Sequence, residues 1–134
     1  MDMIAKYETQ FGKLNFITEV YLKNDGLIIN IIAPNEHLGG IGIGIPYSRK
    51  DGSGSANFHC ISFPGHRDAE LAGGLAQILS KITRMKTIVI LGVHIPNISK
   101  PEIKELILFL ENWFSEIGTN LLDLSSLNSD IKAL

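Results

Sequence analysis

From Lys13 to Lys23 the side chains alternate. Leu14, Phe16, Thr18, Val20 and Leu22 point one way, and Asn15, Ile17, Glu19, Tyr21 and Lys23 the other. A period of two is the signature of a strand. Asp25-Gly26 follows as a tight turn, and Leu27 to Ala33 returns as a second strand. An antiparallel hairpin with one apolar face needs another layer to cover it, so the chain must build a layered fold around a sheet.

The rest of the chain supplies that layer. Pro34-Asn35-Glu36 is a turn, and Gly39 to Ile45 reads as a third strand with Ile41, Ile43 and Ile45 on one face and Gly42 and Gly44 on the other. Strand glycines mark a bulge, a close approach by another backbone, or a ligand brought near. The spacing Gly40-x-Gly42-x-Gly44 is not a dinucleotide site, because Pro46 follows and no helix begins to hold a pyrophosphate. Ser48 to Ser55 is a mobile polar loop, and Ala56 to Phe63 a fourth strand ending at Pro64-Gly65. A helix then runs from His66 to Arg84, burying Leu71, Leu75, Ile78, Leu79 and Ile82. Gly73-Gly74 costs that helix roughly 1–2 kcal/mol of propensity relative to alanine, which close packing on the sheet would explain.

Thr87 to Val93 is apolar on both sides, as in a central strand covered on both faces. Ser99-Lys100-Pro101-Glu102 is a capping box with proline in the first turn. The helix it opens carries Ile103, Leu106, Ile107, Leu110, Trp113, Phe114 and Ile117 on its apolar face and stops at Gly118. Residues 119–134, with Leu121, Leu124, Leu127, Ile131 and Leu134 about a helical turn apart, form a C-terminal amphipathic extension. The expected architecture is a single α/β domain of the α+β type over residues 1–134. It has two layers: a mainly antiparallel sheet of about five strands and two helices on one sheet face, in the order β-β-β-β-α-β-α.

Two helices on one face leave the other bare. Ile17, Tyr21, Ile28 and Ile32 would lie there, with either parity of Ala56–Phe63 adding more apolar groups, more than a soluble monomer normally shows, so a homodimer is expected. Twelve basic against fourteen acidic residues leave no basic footprint for nucleic acid or an anionic membrane. One cysteine, Cys60, precludes an internal disulfide and fits a reducing cytoplasm, where it is expected as a buried structural residue.

The polar residues offer no catalytic set. His37, His59, His66, His94 and Cys60 match no zinc spacing, and His59 and Cys60 point to opposite sheet faces. His66, Arg67 and Asp68 sit where a strand hands over to a helix, as do His94 and Asn97 before the last helix. Each junction reads as capping and turn chemistry, or as a shared anion or partner site at helix N-termini. In the second reading the strand ends at Phe63 and Val93 share one edge of the sheet, and His66 and His94 come together beside the Gly42/Gly44 strand.

Three segments carry a resemblance: His37-Leu38-Gly39-Gly40-Ile41-Gly42, Pro64-Gly65-His66-Arg67-Asp68-Ala69-Glu70-Leu71-Ala72, and Gly92-Val93-His94-Ile95-Pro96-Asn97-Ile98-Ser99-Lys100. In order and spacing they resemble the prenylated-flavin chaperone LpdD-like domain, from about Lys13 to Ile117. That family is similar in fold to the eukaryotic proteasome assembly chaperones 3 and 4, small subunits that act as dimers. The resemblance implies a non-catalytic accessory protein with His37, Gly39, Gly40, His66, Arg67, Asp68, His94 and Asn97 lining a ligand or partner surface, to which the residue reading adds Gly42 and Gly44. Prenylated FMN, handled for a UbiD-type decarboxylase, is the ligand so implied, with a flat ring on the Gly42/Gly44 face. The other implied role is assembly of protein subunits of the proteasome type.

Overall fold

Three antiparallel strands open the chain, β1 (Asp2–Phe11), β2 (Leu14–Lys23) and β3 (Gly26–Ile32). β4 (Gly40–Ser48) and β5 (Gly54–Ser62) form a second hairpin, followed by α1 (Asp68–Thr83), β6 (Lys86–Leu91) and α2 (Lys100–Asp123). The structure is a computed structural model, and it describes residues 1–63 and 68–124. The six strands form one sheet in the order β1-β2-β3-β6-β4-β5, antiparallel throughout except between β3 and β6.

The expected class and the two helices on one face are as the sequence indicated, but the sheet has one strand more. β1 alternates Ala5, Tyr7, Thr9 and Phe11 against Lys6, Glu8 and Gln10, and a Gly12-Lys13 turn with Gly12 at φ +61° joins it to β2. The turn between β2 and β3 is Asn24-Asp25, not Asp25-Gly26. Lys23 pairs with Gly26, and Asn24 takes the left-handed conformation (φ 53°) that asparagine tolerates. The polar loop is itself a tight hairpin closed by the Arg49 N–H on the Ser53 carbonyl.

The core lies between the sheet and the helices. Phe16, Val20, Leu27, Ile29 and Leu91 from the strands are fully or almost fully buried with Leu75, Leu79, Leu110, Phe114, Ile117 and Leu121 from the helices. α2 reaches β1, where Phe109 packs on Phe11 at a 5.3 Å ring separation and Tyr7 Oη donates to Asn120 Oδ1. Burial there pushes the Tyr7 phenol up.

The capping box forms as the residues specify: the Glu102 N–H donates to Ser99 Oγ, and the Ser99 N–H to Glu102 Oε1, each at 3.2 Å. Gly118 does not stop α2, which continues to Asp123. A Cβ there would lie 3.0 Å from Ile82 Cδ1, so Gly118 is where α2 crosses α1. Within the expected extension, residues 119–123 belong to α2, and 125–134 lie outside the described residues.

Candidate functional site

β5 and β6 both pair antiparallel with β4, so they run the same way, and Ser62 and Leu91 both align with Gly40. The strand ends that feed the two helices therefore share one end of the sheet, as the sequence suggested. His37, Gly39 and Gly40 arrive there from the β3–β4 connection, and Asp68 begins α1. His37 Nδ1 lies 3.2 Å from the Asn35 carbonyl, and its Nε2 lies 3.2 Å from Asp68 Oδ2, an ion pair when the ring is protonated. A Cβ on Gly39 would meet Asp68 Oδ2, and one on Gly92 would meet the His37 carbonyl, so both glycines are needed for this closeness.

His94 joins the same end through its backbone. Its N–H donates to the Pro34 carbonyl at 3.2 Å, and its carbonyl accepts from Asn35 Nδ2 at 3.0 Å. Asn97 is exposed in the turn before Ser99, at φ 62°. His66 and Arg67 lie outside the described residues. In the part that is described, a carboxylate occupies the N-terminal turn of α1, where it complements the helix dipole and would repel a phosphate.

The strand glycines do something else. Gly40, Gly42 and Gly44 face Ala69, Ala72 with Gly73, and Ala76 of α1, so small residues meet small residues along the helix. A Cβ on Gly42 would stand 2.1 Å from the Ala72 carbonyl, and one on Gly44 2.3 Å from the Ala76 oxygen. Close approach of another backbone is therefore the right reading of these glycines. The flat-ring reading is corrected, because α1 already fills that face, and the described residues form no flavin slot there.

With the glycines inward, the isoleucines of β4 turn outward. On the face away from the helices, Tyr21, Ile28, Ile88, Ile43 and His59 align across five strands. A second row places Ile90, Ile41 and Ile61 beside Asn30, and Ile17 and Ile32 extend the patch. Ile45, Ile61 and Ile88 are 42%, 51% and 38% exposed. The sequence had identified Ile17, Tyr21, Ile28 and Ile32. Ile41, Ile43, Ile45, Ile88 and Ile90 were missed, and the glycine alternation was the signal for the β4 members. β6 is central as expected but covered on one face only.

Cys60 is exposed, not buried, because β5 is an edge strand. Among the described residues, no three His, Cys, Asp or Glu side chains gather as a metal site would require, and no helix is long and apolar enough to cross a membrane.

No curated protein matches the chain. A solved structure described as a novel chaperone complex for yeast 20S proteasome assembly is similar in fold, with a TM-score of 0.51, 16% identity and 95% coverage of both chains. The sequence profile of the prenylated flavin chaperone LpdD-like domain matches residues 11–122, and the chain belongs to that family.

Proposed function

We propose that this chain is a non-catalytic, chaperone-like accessory protein of the cytoplasm. In this reading it acts through protein contacts, as a homodimer joined across the open sheet face. The observation that carries the proposal is the continuous isoleucine surface over β3, β6, β4 and β5, a patch of the kind that marks interaction sites on soluble proteins. Its clients would be protein subunits, as for an assembly chaperone, and the fold shared with the proteasome assembly complex accords with that.

Family membership favours a second reading, in which the client is a UbiD-type decarboxylase and the protein handles prenylated FMN. Since α1 fills the glycine face, a flavin would have to lie outside it, toward the end of the sheet that holds Gly39, Gly40, His37, Asp68, His94 and Asn97, with His66 and Arg67 next to it in sequence.

Purification under mild conditions, an absorbance scan and mass spectrometry separate the two. Protein subunits retained by the wild type, with no flavin spectrum, support the first reading. A flavin spectrum lost with Arg67→Ala at an unchanged melting temperature supports the second. Retention of neither by the wild type contradicts both.

A further inference from the structure

The two edges of the sheet are built differently. β1 carries Asp2, Lys6 and Glu8, with a Lys6–Glu8 ion pair and a register shift between Met3 and Ala5. Charges and bulges of this kind are how proteins prevent a sheet edge from pairing with another chain. β5 has none of these features. Its nine residues contain no Asp, Glu, Lys, Arg or Pro, and they pair with β4 without a shift from Ser48↔Gly54 to Gly40↔Ser62. Every residue from Asn57 to Ser62 is exposed. Phe58 shows its ring on the helix side, where a Cβ on Gly73 would collide with it, and Ile61 lies on the open side. Among the described residues the Ala56 carbonyl accepts from Gln77 Nε2 at 2.7 Å, and from Asn57 onward the strand offers an unpaired ladder with an apolar side chain on each face.

One end of this edge is cationic. Where β5 begins, the Arg84 guanidinium lies against Gly54, and Arg49 donates to Ser55 Oγ at 3.3 Å. Tyr47 pairs opposite Ser55. The Ser55 hydrogen bond first, and the Arg49 and Lys81 charges after it, hold the Tyr47 phenol below its ordinary range. The hairpin's own carboxylate, Asp51, is turned to the Ser53 N–H and hydroxyl at 2.9 and 2.6 Å.

We infer that β5 is a docking edge for a partner protein. It takes an extended segment as a seventh strand along Asn57–Ser62, with a carboxylate of that segment beside Arg49 and Arg84. Main-chain bonds along the edge give affinity and alternate side chains give selectivity, as in strand addition generally. The carboxylate fixes direction. It belongs to an acidic side chain, a chain terminus in its place being an outcome of the test. This rests on the chaperone reading and names how a client is held, leaving the isoleucine face free for the dimer.

The test uses the whole protein and short synthetic peptides of alternating valine and threonine. The versions end in aspartate with an amidated terminus, in threonine with a free carboxylate, or in lysine with an amidated terminus, and each is also made with alternate backbone nitrogens methylated. Amide hydrogen exchange is read at residues 56–62, and light scattering on the same samples reports the dimer. The expected result is protection of β5 amides by the aspartate peptide, and protection by the free-carboxylate peptide alone overturns the side-chain assignment. Binding should be about tenfold weaker for the lysine peptide and absent for one methylation pattern. Arg49→Ala with Arg84→Ala should remove the preference between peptide ends. No protection by any peptide overturns the inference, as does equal protection by all ends. Concentration-dependent protection of β5 without peptide also overturns it, assigning the edge to a second copy. Loss of the dimer with peptide binding intact would count against the dimer alone.

Discussion

Gly42 stands so close to Ala72 that a Cβ on it would lie 2.1 Å from the helix main chain, whereas Gly74, two residues further along α1, has nothing within 4 Å of its own missing Cβ. Gly42→Ala must push α1 off the sheet, and the expected cost is about 3 kcal/mol, the upper part of the usual range for overpacking. Gly74→Ala has room and gains helix propensity, so it should stabilise by about 1 kcal/mol. Urea unfolding of both variants checks the contrast, and equal effects would refute the packing described.

Ser99→Ala removes the hydroxyl that accepts from the Glu102 N–H, at an expected cost of about 1 kcal/mol. The same hydroxyl, then the Ser99 N–H, holds the Glu102 carboxyl below the usual glutamate range. A carboxyl lowered in the folded state contributes stability that is present above its unfolded value and lost as pH falls through the folded one. The gap in unfolding midpoint between wild type and Ser99→Ala should therefore narrow in acid. A gap that stays constant from neutral pH down through that range would show that the carboxylate takes no part.

Cys60 lies on the outer strand and is exposed. A thiol-reactive reagent should label it in the native protein at a rate close to that in urea. Labelling that waits for unfolding would mean β5 is covered in solution.

The hairpin of β2 and β3 and the cap of α2 were legible because each is decided by neighbours in sequence: alternation with turn residues, and a serine three positions before a glutamate. Sheet order was not. Whether Cys60 is buried depends on β5 lying at the edge while β6 inserts between β3 and β4, a relationship between distant segments. The glycines of β4 were recognised as unusual, but their meaning depended on α1 lying over them. Gly118 shows the same limit, since its helix-stopping tendency yields to a crossing with Ile82. At the candidate site, the common sheet end followed from strand direction, whereas the His37–Asp68 contact depends on loop paths that no local pattern encodes.

The dimer across the isoleucine face is the central claim, and Ile43 lies in its middle row between Ile88 and His59. Light scattering at micromolar concentration, with circular dichroism to confirm the fold, should give the wild type twice the monomer mass of 14.7 kDa and Ile43→Lys the monomer mass itself. A wild-type mass of 14.7 kDa, or a folded Ile43→Lys variant that remains dimeric, would contradict it.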